Sequence, residues 1–342
     1  MPVATLFQTQ KVNKKKSWEK TQQTFDFIDL FAGIGGFRIA LESHGGECVF
    51  GSEWDEKSQD TYERNFGECP EGDITKIDEK EVPKHNVLCA GFPCQAFSIS
   101  GKMKGFGDTR GTLFFDVARI AKKAKPEVLF LENVRNFLKH DNGKTIQVVK
   151  DTLEEIGYDH FIKVLRSSDY GVPQARERVY IVAFRKDLGI KNFEFPKPIK
   201  EFKTVEDILE QDNIFHGFID RPDMKITKPD AEVVDPRRPL QIGKINGGGQ
   251  GERIYSTKAA GITLSAYGGG AASKTGAYLI NGKVRKLTPR ECARMQGFPE
   301  DYEIAENRNE AYKQFGDSVS VPVLKLIFQQ IIKAYPDLTL TT

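Results

Sequence analysis

The stretch "DLFAGIGGFRIA", residues 29–40, runs from an apolar segment through Gly33, Gly35 and Gly36 into a helical repeat continued by "GFRIALESH" (36–44). Glycines at such a junction let a ligand approach the backbone where a helix begins. A single turn of this kind decides little, so the weight falls on whether the pattern repeats. It does: "FDFIDLF" (25–31), "CVFGSE" (48–53), "NVLCAGF" (86–92), "EVLFLENV" (127–134) and "RVYIVAF" (178–184) read as strands, with helical candidates such as "LFFDVARIAKKA" (113–124) between them. This alternation predicts an α/β fold with a mostly parallel, helix-covered sheet that binds ligands beyond the C-terminal strand ends. Those ends are Phe31, Glu53, Pro93 with Cys94, and Glu132 with Asn133.

The second strand end sharpens the first. Glu53 lies twenty residues after Gly33, where an acid can accept hydrogen bonds from ribose hydroxyls. A dinucleotide fingerprint would be G-x-G-x-x-G, but counted from Gly33 its last position is Arg38, which weakens an NAD reading. S-adenosylmethionine needs the backbone approach and the ribose acid yet has no diphosphate to cradle. Trp54 is placed to give the adenine an apolar wall, and Asp73 in "EGDITKI" to bond its amino group.

The chain has 342 residues, 39% hydrophobic and 29% charged, a length that suits a large domain with a smaller second one. No apolar run is long enough to cross a bilayer, and the N-terminus carries no secretory pattern, so a cytoplasmic or, in a nucleated cell, nuclear protein is expected. Five cysteines (Cys48, Cys69, Cys89, Cys94, Cys292) without paired spacing suit a reducing compartment. The five histidines are scattered, and no metal site is expected. Net charge is only +2, but between Arg237 and Arg294 eleven Lys/Arg face just Glu252 and Glu291, in a segment holding 11 of the 31 glycines. Dense positive charge on glycine-rich loops is the footprint of a phosphate-backbone binder, although it also describes a solvated irregular surface.

"FIDLFAGIGG", "GFPCQAFS", "LENV", "QARERVYIVAF", "RKLTPRECARMQGFP" and "YKQFGDSVS" occur in that order and cover nearly the whole chain, from about Phe25 to about Val323. They resemble the successive motifs of the DNA (cytosine-5)-methyltransferase family. "GGGQGERIYS" and "LSAYGGG" further resemble the HhaI-type bacterial modification enzymes that recognise GCGC. The resemblance implies a Rossmann-like S-adenosylmethionine-dependent domain over 24–205, completed by 303–336. It also implies a glycine-rich target-recognition domain over 206–288, a connecting hinge over 289–302 and a flexible basic extension over 1–23. The implied partner is double-stranded DNA, bound by a monomer, with a cognate restriction endonuclease acting separately in a bacterial cytoplasm.

Cytosine C5 is too poor a nucleophile to take a methyl group unaided, whereas a thiolate added at C6 pushes electrons onto C5. By resemblance Cys94 is that nucleophile, Glu132 the acid at N3, Arg176 the cation at O2, and Arg178 a buttress. The cofactor contacts so implied are Phe31, Gly33, Ile34, Gly36, Glu53, Trp54, Asp73, Ile74, Gly91, Pro93, Leu113, Asp317 and Ser318. The DNA contacts so implied are Ser98, Ser100, Gln250, Arg253, Thr263, Tyr267 and Gly270. A stacked cytosine cannot reach Cys94, so the base must be flipped. The chain departs from the family at "FGDSV", where asparagine is usual, and Asp317 is expected to repel the cofactor's carboxylate. Competing readings are a transfer-RNA methyltransferase of the same family, which generally lacks the long glycine-rich region, and a catalytically silent DNA-binding module. A zinc deaminase would need P-C-x-x-C, which Pro93–Phe97 does not supply.

Overall fold

The computed structural model describes residues 16–19, 22–93, 113–211 and 217–340. Six strands form the large sheet: β1 (Phe25–Leu30), β2 (Gly46–Ser52), β3 (Val87–Gly91), β4 (Val128–Val134), β5 (Tyr158–Arg166) and β6 (Glu177–Arg185), in the order β2-β1-β3-β4-β6-β5. The pairs β1–β2, β1–β3 and β3–β4 are parallel; β4–β6 and β5–β6 are antiparallel. The order reverses direction around β1, the switch point at which open α/β sheets bind ligands.

Alternation along the central strands assigns two buried faces. Phe27, Val87, Cys89, Val128, Phe130, Val182 and Phe184 share one core. Ile28, Leu30, Leu88, Ala90, Leu129, Leu131, Ile181 and Ala183 share the other. A sheet covered on both sides has apolar residues at successive positions, which is why these strands read as continuous runs. The helices that cover it begin with α1 (Gly36–Glu42), α2 (Glu56–Phe66), α3 (Leu113–Ala124) and α4 (Lys144–Glu155). Both α3 and α4 pack on the second face through Val117, Ala121, Val149 and Leu153.

A five-stranded sheet lies in the second half of the chain, in the order β11-β10-β9-β8-β7: β7 (Lys225–Ile226), β8 (Gln241–Lys244), β9 (Arg253–Ser256), β10 (Ala277–Ile280) and β11 (Lys283–Arg285). Its own small core contains Ile242, Ile245, Ile254, Ala272, Ala277 and Val284. Next come α5 (Pro289–Gln296), α6 (Arg308–Asp317) and α7 (Val321–Ala334). Much of the segment expected to be a hinge is thus α5, started by a Thr288–Glu291 capping box with Pro289 in the first turn. Glu291 is fully buried and takes two hydrogen bonds of 2.7 Å from Arg285 of β11, which couples the small sheet to α5.

The final helix returns to the first sheet face. Phe328 stacks on Phe130 of β4 at 6.4 Å and tilts against Phe25 of β1 at 5.2 Å. Within the stretch 1–23 expected to be a flexible extension, the described residue Trp18 is 4% exposed and belongs to the same core. Phe328→Ala is expected to cost about 3–5 kcal/mol, the usual loss for a buried phenylalanine. Chemical denaturation checks this; a loss under about 1 kcal/mol would mean that α7 is not part of the sheet's core.

Candidate active site and nucleic-acid interface

The glycine turn is held from below. Gly33 lies at φ 55 with nothing within 4 Å of the position a Cβ would take, so its outer side is open to a ligand. Its N–H donates to Glu53 Oε2 at 2.8 Å, and Glu53 Oε1 accepts from Asp55 N–H at 2.8 Å. Burial pushes the Glu53 carboxyl up, and these backbone donors pull it back. Phe31 adopts φ 57, unusual for a residue with a side chain, and aims the chain into the turn. Beyond the turn, Gly36 packs so closely against Val319 that a Cβ would collide with it.

Trp54, directly after Glu53, is 77% exposed. Asp73 is brought to the same strand end because Glu71 exchanges backbone hydrogen bonds of 2.8 Å with Gly51 and Glu53. Asp73 caps the short helix at Ile74–Lys76, accepting from Thr75 Oγ1 at 2.7 Å, and its carboxyl is lowered chiefly by that bond. An open glycine backbone, a buried carboxylate with lone pairs left over, a bare indole and a second acid at one strand end fit a nucleoside cofactor. Leu113 starts α3, and Ile34 and Ile74 are buried.

A second cluster occupies the ends of β3, β4 and β6. Glu132 is buried, and Oε2 lies 3.8 Å from where a Cβ of Gly91 would stand. Register sets Glu132 opposite Tyr180 and Val134 opposite Arg178. Arg178 Nε is 3.1 Å from Glu132 Oε1, an ion pair without hydrogen-bond geometry. Desolvation raises the Glu132 carboxyl above the ordinary range, against the opposing pull of Arg178 and Arg176. Arg176 is wholly buried: Nη1 donates to Leu264 O at 3.3 Å and Gly316 O at 3.2 Å, and Nη2 to Ser318 O at 2.6 Å. Its Nε has no hydrogen-bond partner among the described residues, and burial lowers its pKa to about 9.

Asn133 was noted in the sequence only as a strand-end residue. Its side chain donates to Phe92 O at 2.8 Å, fastening the backbone that leads to Pro93 and Cys94. Cys94, Ser98 and Ser100 lie outside the described residues. Gln174 and Gln296 lie in the "QARER" and "RMQGFP" segments, where nothing in the local sequence marks a role for them. Gln174 accepts from Leu264 N–H at 3.0 Å and donates to Met295 O and Gln296 Oε1 at 3.1 and 3.0 Å. Gln296 donates to Phe315 O at 2.8 Å and accepts from Ser320 Oγ at 3.0 Å. Buried amides satisfied in this way draw the "QARER", "RMQGFP" and "FGDSVS" segments to one point.

Of the residues expected to contact DNA, Gln250 and Arg253 sit exposed at the β9 entrance, with Arg253 Nε donating to Gly248 O at 3.2 Å. Gly270, at φ 96, packs on Gly251 with no room for a Cβ, so the loop of Gln250 and the loop of Tyr267–Gly270 meet backbone to backbone. Tyr267 is 74% exposed and lines a 660 Å³ cavity with Lys57, Lys274 and Lys313. Thr263 is less available: its hydroxyl donates to Ala175 O at 3.0 Å. This loop therefore grows out of the Arg176 cluster, since Leu264 is hydrogen-bonded to Gln174 and Arg176. Asp317 ends α6 with its side chain exposed; desolvation raises its carboxyl while Lys313 and Arg176 oppose that shift. Two neighbouring cations thus favour a charged Asp317, while the carboxylates of Asp55 and Glu310 oppose it.

The family profile of C-5 cytosine-specific DNA methylase matches residues 25–333, nearly all of the described chain. The chain belongs to this family. It is 57% identical over 306 residues to the type II methyltransferase M.HhaI of Haemophilus parahaemolyticus, covering 89% of this chain and 93% of that protein. It is 45% identical to the type II methyltransferase M.SsoII of Shigella sonnei, covering 90% and 80%. The protein is accordingly a DNA cytosine-5-methyltransferase of the restriction-modification type. Its fold matches a Spodoptera frugiperda DNMT2 mutant with TM-score 0.68 at 21% identity, covering 90% of this chain and 99% of that one. It also matches the Entamoeba histolytica methyltransferase EhMeth with TM-score 0.70 at 19%, covering 91% and 99%. Among the described residues no group of His, Cys, Asp or Glu could hold a metal ion, and no helix is long and apolar enough to cross a membrane.

One carboxylate of this methyltransferase falls outside both clusters. Asp29 of β1 is buried under the turn, neither oxygen has a hydrogen-bond partner among the described residues, and burial raises its pKa from 3.8 to about 8. A folded-state pKa above the unfolded value means stability that is complete below about pH 4 and lost as pH climbs towards 8. The difference in Tm between Asp29→Asn and the parent should therefore grow in the variant's favour across that window and then level off. A difference independent of pH would show that Asp29 finds a partner.

Proposed function

We propose that the enzyme flips a cytosine out of GCGC in duplex DNA, adds Cys94 to its C6 and methylates C5 with S-adenosylmethionine as donor. The observation that carries this reading is Glu132: a buried carboxyl pushed towards its neutral form, beside two arginines, at the end of the strand next to the one leading to Cys94. S-adenosylmethionine, when bound, supplies an electrophilic methyl group. Glu53 and the backbone at Gly33 hold its ribose, Trp54 covers its adenine and Asp73 meets the amino group; Phe31, Ile34, Ile74, Gly36, Gly91, Pro93, Leu113, Asp317 and Ser318 complete the pocket.

The Cys94 sulfur forms the bond to C6 while the C5–C6 double-bond electrons move towards N3. Protonated Glu132 donates to N3, and Arg176 Nε faces the charge that builds at O2. Arg178 holds the Glu132 carboxyl in place. C5 then takes the methyl group as the donor's S–CH3 bond breaks and its sulfur leaves as a thioether. The N3 proton returns to Glu132, and loss of the C5 proton to a base with breaking of the C6–S bond restores the aromatic ring and the thiolate. Cys94→Ser is expected to abolish methyl transfer while leaving DNA binding intact, because a hydroxyl is a far poorer nucleophile at neutral pH. Near-normal turnover of radiolabelled methyl groups by this variant would contradict the covalent route.

The second lobe, over 206–288, reads the site. Arginine donates to both O6 and N7 of guanine and offers no acceptor to adenine, so Arg253 on the Gly248–Gly251 loop is assigned to a guanine. Gln250 and Ser100 flank the space vacated by the base, and Ser98, Thr263, Tyr267 and Gly270 support the reading loops. The enzyme works as a monomer in a bacterial cytoplasm, independently of any cognate endonuclease. Arg253→Ala should lower discrimination at one guanine position by about 1–3 kcal/mol, whereas exposed Lys258→Ala should weaken all duplexes alike and flatten the salt dependence. Binding to singly substituted duplexes at fixed salt checks this; uniform weakening by Arg253→Ala would make Arg253 a backbone clamp.

A further inference from the structure

We propose that residues 16–19 form a strap that braces the cofactor-binding turn from outside, with Trp18 as its positioning residue. The inference rests on the cofactor reading given above. The strap is tied down at three points. Ser17 donates from N and Oγ to Asp301 Oδ2 and Oδ1 at 2.9 and 2.7 Å, and Lys16 pairs with Glu303 at 3.5 Å. The Trp18 indole N–H donates to Glu42 Oε2 at 2.9 Å, while Glu42 Oε1 accepts from Arg38 at 2.6 Å. Glu42 and Arg38 are both on α1, the helix that the glycine turn opens.

The Trp18 ring sits between two aromatic side chains. It meets Phe66 edge-on, with centroids 5.9 Å apart at 68°, and Tyr302 at 6.2 Å and 43°. Each of these touches the turn directly. The Tyr302 hydroxyl donates to Ile34 O at 2.6 Å, and Gly35 lies so close to the Phe66 ring that a Cβ there would overlap it. Trp18 therefore wedges apart two groups that fix consecutive residues of the turn, one residue beyond the Gly33 N–H held by Glu53. Without the indole, Phe66 and Tyr302 relax into the space it leaves, and the Ile34–Gly35 backbone moves with them. Such loosening costs affinity because the turn must be ordered again on binding.

A merely structural tryptophan would lower Tm and leave cofactor affinity alone, so affinity is the deciding readout. The full-length protein is titrated with S-adenosylhomocysteine by calorimetry, well below the melting temperature. Trp18→Ala is expected to raise Kd roughly tenfold with DNA affinity in the absence of cofactor unchanged, and Trp18→Phe, which keeps a ring in the wedge, to restore Kd to within about twofold. Asp301→Ala releases Ser17 with every ring intact and should raise Kd in the same direction, which keeps the test decisive if Trp18→Ala folds poorly. Lower melting temperatures with unchanged Kd in both variants would overturn the strap.

The chain has two tryptophans, so in Trp18→Phe all indole fluorescence comes from Trp54. Quenching on titration reports the cofactor pocket itself. If Glu53→Ala leaves both Kd and this quenching unaltered, the cofactor assignment fails. If Glu53→Ala weakens binding while the Trp18 and Asp301 variants do not, the strap alone fails.

Discussion

Arg176 holds the molecule's working parts in one place. Its guanidinium is buried, burying a cation is costly unless its donors meet acceptors, and all of its hydrogen bonds here come from Nη1 and Nη2. Leu264, Gly316 and Ser318 offer carbonyl oxygens from the root of the loop bearing Tyr267 and from the end of α6. The same side chain begins two residues before Arg178, which pairs with Glu132. One desolvated charge thus links the acid at the end of β4, the loop bearing Tyr267 and the helix bearing Asp317. The Gln174–Gln296–Ser320 amide network repeats the linkage with neutral groups. Shifting any one of these segments would leave a buried donor or acceptor unsatisfied.

Three carboxyls at the sheet's working edge show how placement sets chemistry. Glu53 is buried but held by two backbone N–H groups, which keep it an acceptor. Glu132 has arginines nearby, yet its Oε1 has no hydrogen-bond partner among the described residues, and burial prevails, which favours the proton-carrying form. Asp29 has no hydrogen-bond partner among the described residues, and burial outweighs the pull of neighbouring Arg38 and raises its carboxyl to about 8. Residue type is nearly constant across the three; what differs is the number of donors within reach.

Most of the large sheet was legible in the sequence. The strands β1, β3, β4 and β6 are buried on both faces and so stand out as apolar runs. The strand β5 did not, because it is a half-exposed edge whose "YDHFIKVLR" mixes charge with apolar residues. The small sheet was visible only as a basic, glycine-rich region: its strands are two to four residues long, too short to show a period. Trp18 was hidden by its setting, since it follows the lysine run 14–16 and reads as part of a solvated tail. Glycines 33 and 36, Glu53 and Glu132 were picked out at strand ends, where local pattern suffices. The roles of Asn133, Gln174 and Gln296 depend on partners far along the chain, which no local pattern records.

The account stands on a covalent bond between Cys94 and the flipped cytosine. A GCGC duplex carrying 5-fluorocytosine at the target position blocks the last step, since fluorine cannot leave C5 as a proton does. Incubation with S-adenosylmethionine followed by denaturing electrophoresis and peptide mass mapping is predicted to give a stable protein–DNA conjugate attached at Cys94 and carrying the transferred methyl group. Absence of a conjugate under conditions where unmodified GCGC is methylated, or attachment at any other residue, would contradict it.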